Sequence, residues 1–198
     1  MTAFVEKIFR FPELYTKKVV FLKKINGLDS LSVDHIIKDK EIIDIGCGNV
    51  SHFYHPNHAK KRVGIDTSPE MIEAANKLYP NSTHQVASAL NLPFEDKSFD
   101  IALIQFVLHH IAADQWYAVL SEAKRVARDA IIIFDHVKHE KFFPALIQQT
   151  WWSTTDGGEI YRKEKDWEDL LSKAGLKVLH YQRRGALFGN ICYYHLAI

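Results

Sequence analysis

Two glycines directly follow a short apolar run that contains one acid. In the stretch EIIDIGCGNVSHF, residues 41–53, the acid is Asp44 and the glycines are Gly46 and Gly48. Glycine adopts positive φ without steric cost and lets a ligand approach the backbone closely. A buried strand that ends in such a turn, followed by the start of a helix, is typical of a nucleotide-binding loop. The third glycine of the dinucleotide fingerprint is missing, because Val50 stands at the expected position.

A second acid, Asp66, lies twenty residues after Gly46, at the end of the run RVGID. This distance places its carboxylate at the tip of the neighbouring strand of a parallel sheet, where it accepts hydrogen bonds from ribose hydroxyls. The pair of motifs therefore predicts an adenosine-type ligand, which is either a dinucleotide or S-adenosylmethionine.

Asp44 favours S-adenosylmethionine over a dinucleotide. A carboxylate beside the turn repels a pyrophosphate, whereas it attracts the ammonium and sulfonium groups of S-adenosylmethionine. The missing third glycine favours the same ligand, since no pyrophosphate then has to lie against the helix. A dinucleotide-dependent oxidoreductase remains the alternative enzyme. An acid that only caps a turn at the strand end is the alternative role for Asp44.

Two adjacent histidines, His109 and His110, follow the predicted fourth strand closely. If the ligand is S-adenosylmethionine, the expected reaction is methyl transfer, an in-line displacement in which the protein holds the acceptor and removes its proton, if it has one to lose. Histidine titrates near neutral pH, so either residue suits the role of base. The alternative is that they only pack and form hydrogen bonds in the loop after the strand.

The other histidines do not predict a metal site. His52, His55 and His58 are spaced three apart, as are His136 and His139. Ligands at this spacing share one face of a helix, but a proline interrupts the first set and no cysteine or carboxylate completes a tetrahedral site. We therefore predict that the protein holds no functional metal.

The elements that must position these side chains alternate along the chain. Short apolar runs between helical stretches predict an α/β fold, a Rossmann-like, seven-stranded, mostly parallel sheet with an antiparallel last strand and helices on both faces. The predicted strands include residues 42–45, 62–66, 83–86, 101–105 and 130–135, and the predicted helices include 12–26, 69–78 and 115–127.

Composition limits the class of protein. The chain has 198 residues, 47% of them hydrophobic and 25% charged, and a net charge of +1, so charge predicts neither nucleic-acid binding nor membrane association. Only two cysteines are present, Cys47 and Cys192, which favours a reducing compartment over a disulfide framework. No apolar run approaches the roughly 20 residues of a membrane span. We expect one domain, residues 1–198, in a soluble cytoplasmic protein.

Four stretches together resemble the class I S-adenosylmethionine-dependent methyltransferases, in particular the branch with quinone-biosynthesis C-methyltransferases and many small-molecule methyltransferases. They are IIDIGCGN, VGIDTSPEMIEAA, NLPFEDKSFDIALIQFVLHHI and EAKRVARDAIIIFDH, within residues 40–180. The resemblance implies S-adenosylmethionine as cofactor and a small, partly apolar acceptor. A non-catalytic relative that keeps the fold and works through a protein partner is the third alternative.

The resemblance also implies roles for individual residues. The methionine end of the cofactor would contact the glycine turn, Asp66 would bind the ribose, and later segments would flank the adenosine and the methyl group. The implied cofactor residues are Asp44, Gly46, Cys47, Gly48, Asp66, Thr67, Met71, Ser88, Ala89, Leu90, Gln105 and Phe106.

An aromatic segment, FFPALIQQTWWSTTDGGEIYR at residues 142–162, follows the predicted fifth strand. Aromatic side chains beside a glycine pair suit a lid over a partly apolar acceptor, so we predict a lid at residues 140–165 that contacts the acceptor through Phe143, Trp152 and Tyr161. Tyr15, in a predicted helical cap at residues 1–30, would close the other side. The alternative is that these aromatic residues belong to the core.

Overall fold

The computed structural model describes residues 12–25, 31–49, 54–155, 157–158, 161–186 and 189–198. Several predicted features lie outside this part of the chain: Val50, His52, and portions of the cap and of the lid. The helices are α1 Pro12–Ile25, α2 Asp34–Ile37, α3 Pro69–Leu78, α4 Trp116–Val126, α5 Phe142–Thr155 and α6 Glu164–Lys173. The strands are β1 Glu41–Ile45, β2 Lys61–Asp66, β3 Thr83–Val86, β4 Phe99–Gln105, β5 Ala127–Val137, β6 Lys177–Ala186 and β7 Gly189–Ala197.

The seven strands form one sheet in the order β3-β2-β1-β4-β5-β7-β6. Strands β1 to β5 pair in parallel, whereas β7 runs antiparallel to both of its neighbours, β5 and β6. The predicted fold class, mostly parallel with an antiparallel last strand, is confirmed. Because the carboxyl ends of β1, β2, β4 and β5 meet at one edge, residues that follow these strands converge there.

Apolar side chains cover both faces of the sheet. Ile43 and Ile45 belong to one cluster, which also contains Trp116 from α4 and Trp167 from α6. Ile42 belongs to a second cluster with residues of β4, β5 and the segment around α2. Neighbouring residues of a strand point to opposite faces, so β1 contributes to both clusters and is buried between them.

Helix α3 begins and ends at the residues that the sequence predicts. Ser68 is its N-cap and accepts a hydrogen bond from the backbone N–H of Met71 at 3.2 Å, and Pro69 occupies the first turn. Serine at the cap and proline at the first helical position are the usual start of a helix. The helix therefore begins immediately after Asp66, at the functional edge of the sheet.

The start of a helix expected after the glycine turn falls on residues 50–53, which lie outside the described part of the chain. The described residues of the β1–β2 connection contain a short 3-10 turn, Pro56–His58, whose N-cap His55 accepts from the N–H of Asn57. Tyr54 is buried, and its hydroxyl is held by polar side chains of β1 and β2.

Strand β5 is longer than predicted, because Arg128 and Asp129 belong to it rather than to a turn. Both side chains are exposed. Arg128 donates to Asp100 at 2.9 Å, and Asp129 accepts from Lys40 at 3.0 Å.

No helix among the described residues is long and apolar enough to cross a membrane.

Candidate cofactor and acceptor site

The turn after β1 depends on its glycines. Gly46 has a φ of +71° and Gly48 a φ of +49°, which are left-handed conformations that favour glycine. A Cβ atom at Gly46 would also overlap the side chain of Val107, which follows β4. At Gly48 the nearest atom to such a Cβ is in the ring of Tyr15, at 3.9 Å, so the cap helix lies over an open side of the turn. The turn and Tyr15 therefore face each other.

Asp66 and the glycine turn form one unit. The backbone N–H of Gly48 donates to Oδ2 of Asp66 at 2.9 Å, and that of Ser68 donates to Oδ1 at 2.9 Å. Burial raises the pKa of the Asp66 carboxyl, and these backbone donors act in the opposite direction. Each carboxylate oxygen has two lone pairs, so Asp66 retains acceptor capacity for a pair of ribose hydroxyls.

Two backbone N–H groups of this turn have partners within the protein. The N–H of Cys47 donates to the carbonyl of Ile65 at 2.8 Å, and the N–H of Gly48 donates to Asp66. A pyrophosphate site needs N–H groups that point at the anion, so these two are not available to one.

Asp44 lies in a buried polar network rather than beside the ligand as a lone charge. Its Oδ2 accepts from the hydroxyl of Tyr54 at 2.6 Å and from the guanidinium of Arg62 at 2.9 Å. Its Oδ1 accepts from the side-chain amide of Gln105 at 3.2 Å. The sequence argument from the charge of Asp44 omitted Arg62, which balances that charge within the protein. The charge of Asp44 alone therefore does not distinguish S-adenosylmethionine from a dinucleotide.

The network continues from Arg62 to the edge of the sheet. Arg62 also contacts the hydroxyl of Tyr54 and Nε2 of His84, and Nδ1 of His84 lies 2.9 Å from Oδ1 of Asn76 in α3. Burial, and then the charge of Arg62, lower the pKa of His84 to about 4. A neutral His84 that accepts from Arg62 fits both contacts. The sequence did not single out Arg62 or His84, because each lies within a run that resembles an ordinary strand.

The remaining predicted cofactor residues lie around the same edge. Thr67 and Met71 follow β2, with Thr67 exposed and Met71 buried in α3. Ser88 accepts a hydrogen bond from the N–H of Leu90 at 3.2 Å, so its hydroxyl shapes the turn after β3, and Ala89 is buried beneath it. Ser88 and Ala89 follow β3, which neighbours β2 in the sheet, so they lie on the same side of the site as Asp66.

Strand β4 ends in an unusual backbone conformation. Phe106 has a φ of +58°, although it is not a glycine, and its N–H donates to the carbonyl of Phe134 at 2.8 Å. A bulky residue in the left-handed region is uncommon and costs about 1–3 kcal/mol, and such residues cluster at functional sites. The side chain of Phe106 then lies 5.2 Å, between ring centroids, from His136 at the end of β5.

The two candidate histidines differ in environment. His109 is fully buried, and its Nδ1 lies 2.6 Å from Oδ1 of Asp135. His110 is exposed and lies next to it, with ring centroids 4.1 Å apart. Asp135 was not identified from the sequence, although an acid at the end of the buried run AIIIFD, five strands into a parallel sheet, was a usable signal. The structure thus brings an acid from β5 to the histidine that follows β4.

Asp135 is held in place by the backbone as well as by His109. Its Oδ2 accepts from the N–H of Leu108 at 2.9 Å, and its Oδ1 also accepts from the N–H of His136 at 2.7 Å. Burial acts to raise the pKa of this carboxyl, but the charge and hydrogen bond of His109, together with His136, outweigh it and hold the pKa below its usual value. Asp135 is therefore an anion with a fixed orientation.

Part of the predicted lid covers His109. We call the residues Gly157, Gly158 and Tyr161 the roof. Gly158 and Tyr161 lie against the imidazole of His109. The ring of Tyr161 stacks on that of His109, 5.7 Å apart at 18°, and its hydroxyl donates to the carbonyl of Gly158 at 3.1 Å. A Cβ atom at Gly158 would overlap the His109 ring, so the roof closes this tightly only with glycine there.

The three residues of the lid that were predicted to contact the acceptor do not all lie in one place. Trp152 is buried and packs on His136, with ring centroids 4.3 Å apart, and Tyr161 is buried in the roof. Phe143 is 75% exposed and contacts Phe142 instead, 5.6 Å away. The aromatic cluster at this edge consists of Phe106, His136, Trp152 and Tyr161. Phe143 lies on the opposite face of α5, because it is spaced away from Trp152 around the helix.

Comparison with known proteins agrees with this geometry. Residues 43–134 match the methyltransferase domain family, a range that runs from β1 through the glycine turn and Asp66 to β5. The chain is 31% identical over 117 residues to a ubiquinone/menaquinone biosynthesis C-methyltransferase of Campylobacter jejuni, covering 54% of this chain and 49% of that protein. It is 38% identical over 68 residues to a tRNA (carboxymethyluridine(34)-5-O)-methyltransferase of Saccharomyces cerevisiae, covering 34% of this chain and 24% of that protein.

The fold extends the match over nearly the whole chain. A solved Thermotoga maritima structure, described as an S-adenosylmethionine-dependent methyltransferase and possible histamine N-methyltransferase, superposes with a TM-score of 0.71 at 20% identity, covering 96% of this chain and 97% of that chain. Residues 43–134 are thus similar to the methyltransferase domain family, and over the rest of the chain the fold agrees with that of solved methyltransferase structures. The chain spans about half the length of the Campylobacter relative that it matches.

Proposed function

We propose that this methyltransferase binds S-adenosylmethionine at the glycine turn and transfers its methyl group to a small, partly apolar acceptor. The observation that carries the proposal is the hydrogen bond from the N–H of Gly48 to Asp66. It fixes a carboxylate with free acceptor capacity beside a turn whose open side faces Tyr15. This is the arrangement that a ribose between an adenine and an amino-acid tail requires.

The residues fit the cofactor without further rearrangement of β1 and β2. Asp66 binds the ribose, and Gly46 and Gly48 allow close approach to the backbone. Gln105 ends β4, the strand beside β1, and Phe106 follows it. When bound, S-adenosylmethionine supplies an activated methyl group and its own leaving group. The protein then has to hold the acceptor in line with the methyl group and exclude competing nucleophiles.

The aromatic cluster supports a small acceptor. Phe106, His136, Trp152 and Tyr161 lie within 6 Å of a neighbouring ring at the carboxyl edge of β4 and β5. Apolar walls with a few fixed polar groups are typical of sites for small molecules. The yeast relative acts on tRNA, but the charge of +1 for this chain provides little attraction for a polyanion. We therefore place a small molecule before a nucleic acid as the acceptor.

Isothermal titration calorimetry with S-adenosylmethionine, S-adenosylhomocysteine and NAD tests the cofactor. We expect binding of the first two and none of NAD. Asp66→Ala should weaken binding by about 1.5–3 kcal/mol, roughly 10- to 150-fold, because a charge-assisted contact is lost. Glu73→Gln is the matched control, since Glu73 is an exposed acid of α3 that pairs with Lys77.

Binding of NAD instead of S-adenosylmethionine would overturn the proposal in favour of an oxidoreductase. Binding of S-adenosylmethionine with no labelled methyl transferred to any small-molecule fraction would favour a non-catalytic protein of this fold. Transfer of label to RNA but not to small molecules would move the acceptor to the class of the yeast relative.

A further inference from the structure

A cavity of about 500 Å³ lies between the segment before β1 and strands β6 and β7. Three of the residues that line it are histidines, His35, His180 and His195. We infer that this cavity is a second small-molecule site, and that it binds an organic anion with a flat apolar body. Its volume is within the range of sites that hold one small molecule.

Strands β6 and β7 form the floor of the cavity. His180 lies opposite His195, and Gln182 lies opposite Tyr193, in the antiparallel register of these strands. Residues two apart on a strand point to the same face, so the four side chains share one face of the sheet. The ring of Tyr193 is buried and stacks on that of Phe134 in β5, 4.8 Å away. The floor therefore combines an aromatic surface with hydrogen-bonding groups.

The segment before β1 forms the opposite wall. Leu31 and Val33 are buried in the second apolar cluster, which also contains Tyr193. His35, an exposed residue of α2, is near enough that its charge acts on His195. An apolar wall that faces a polar floor suits a ligand with an apolar body and one charged end.

The cavity is separate from the cofactor turn and from His109. On β5, Ile132 lies opposite His195, three residues before Asp135. A strand rises about 3.3 Å per residue, so His195 lies roughly 10 Å from the level of Asp135 along the strand. In the sheet, β4 and β5 stand between β7 and the strands that carry the glycine turn and Asp66. A ligand in the cavity would thus leave the cofactor site open.

The charges around the cavity favour an anion. None of the described residues that line it is an acid. With its amide oxygen turned toward the guanidinium, Gln182 accepts from Nε of Arg184 at 3.0 Å, which places a permanent cation beside the floor. The acid nearest in sequence, Asp34, accepts from the N–H of His55 and lies 2.9 Å from Nδ1 of His58. Its carboxylate is therefore engaged by the β1–β2 connection.

Titratable groups approach His195 from each element beside it. His180 belongs to β6 and His35 to α2, whereas the opposite residue of β5, Ile132, does not titrate. Burial lowers the pKa of His195, and His180 and then His35 lower it further, because protonated imidazoles repel one another. Burial raises the pKa of Tyr193, so its hydroxyl stays neutral. A bound anion opposes the repulsion, so binding should be accompanied by proton uptake.

The three histidines do not form a metal site. Within the described part of the chain, no group of three histidine, cysteine or acidic side chains is arranged to hold a metal ion. An aryl carboxylate matches the cavity instead. Its oxygens accept charge-assisted hydrogen bonds from protonated imidazoles, and its ring packs against the apolar wall.

Calorimetry with 1-naphthoate tests this site in the full-length protein. The carboxylate of this probe is ionised at pH 6 and at pH 8. We expect saturable binding with proton uptake at pH 6, and an affinity roughly 10-fold or more weaker at pH 8, because the complex needs a protonated histidine. The neutral analogue 1-naphthalenemethanol should bind more weakly and without this pH dependence. Equal affinity for the two compounds, or naphthoate binding that does not change with pH, would overturn the inference.

Two variants of β6 show whether the imidazoles hold the anion. His180→Gln should weaken naphthoate binding at pH 6 by roughly 10-fold or more, because a charge-assisted hydrogen bond is lost. Arg183→Gln is the matched control, since it removes a cation from the same strand but from the other face, where Arg183 donates to Glu164 of α6 at 3.0 Å. Both positions are exposed, so both variants should melt like the wild type. Unchanged affinity in His180→Gln would contradict the proposed site.

Imidazole NMR of the wild type locates naphthoate without any substitution. We expect the signals of His180 and His195 to shift when naphthoate is added, and to stay in place when S-adenosylhomocysteine is added. Shifts confined to His109 and His136 would place naphthoate in the acceptor site instead, which would also overturn the inference.

Discussion

The guanidinium of Arg62 lies 2.9 Å from the carboxylate of Asp44, and both side chains are almost completely buried, at 2% and 1% exposure. Burial acts to lower the pKa of Arg62, but the neighbouring Tyr54 and Asp44 outweigh it, so the arginine remains charged. The pair joins β1 to β2 directly beneath the glycine turn. It therefore couples the stability of the sheet edge to the geometry of the cofactor site.

Replacing Arg62 alone should be strongly destabilising. Arg62→Met leaves the Asp44 carboxylate buried without its counter-charge, and breaking a buried pair in this way costs about 3–5 kcal/mol. Urea denaturation measures the change. The double variant Asp44→Asn with Arg62→Met should recover part of the loss, because no buried charge then remains. Arg128→Ala is the control, since its partner Asp100 is on the surface, and it should unfold like the wild type. Equal stability of all variants would contradict the structural role of this pair.

Acid should destabilise the protein partly through His84. Its pKa is lowered to about 4, whereas an unfolded histidine has a pKa of about 6.5. Between these values the unfolded chain binds the extra proton, so stability is lost as the pH falls through this window. His84→Gln, which keeps an acceptor for Arg62, should lose less stability than wild type between pH 6.5 and pH 4 in thermal unfolding. His35→Gln, an exposed change, should retain the wild-type slope. A steeper slope in His84→Gln would show that the sign is wrong.

Replacing Trp152 or Phe143 should change the stability of the protein to very different extents, although both belong to α5. Trp152 is buried against His136, so Trp152→Ala should cost about 3–5 kcal/mol of stability. Phe143 is mostly exposed, and Phe143→Ala should leave the melting temperature within the range of ordinary surface changes. Differential scanning calorimetry compares the two directly. If Trp152→Ala melts like the wild type but no longer turns over, Trp152 contacts the acceptor without supporting the core.

The roof should loosen when Gly158 gains a side chain. Gly158→Ala would place a methyl group into the His109 ring, which forces the roof to move. Trypsin should then cut faster after Arg162, whose guanidinium donates to the carbonyl of Ala113 at 2.8 Å in the closed arrangement. Gly185→Ala is the matched control, because nothing lies within 4 Å of a Cβ atom there. An unchanged rate of cleavage in Gly158→Ala would mean that the roof does not depend on this contact.

Local patterns predicted the elements that carry the site. Alternating apolar runs and helical stretches predicted the fold class, since buried parallel strands appear in a sequence as continuous apolar runs. The start of α3 could be predicted because Ser68 and Pro69 are typical of the start of a helix. The same apolar runs showed where β1 and β2 end, and so placed Gly46, Gly48 and Asp66 at the ends of these two strands. The buried contact between the hydroxyl of Tyr54 and Asp44 was not predicted, because no local pattern indicates it.

The sequence by itself determined the fold class, the glycine turn and the placement of Asp66 and of the two histidines at strand ends, because each depends on residue types at fixed spacing within one segment. Only the tertiary structure decided which charges are balanced and which histidine is oriented. Arg62 reaches Asp44 across 18 residues, and Asp135 reaches His109 across 26 residues. Asp135 meets His109 because parallel strands bring their carboxyl ends to one edge of the sheet. Arg62 meets Asp44 because it lies near the start of β2, which pairs with β1 side by side. Burial at both pairs makes an unpaired charge costly.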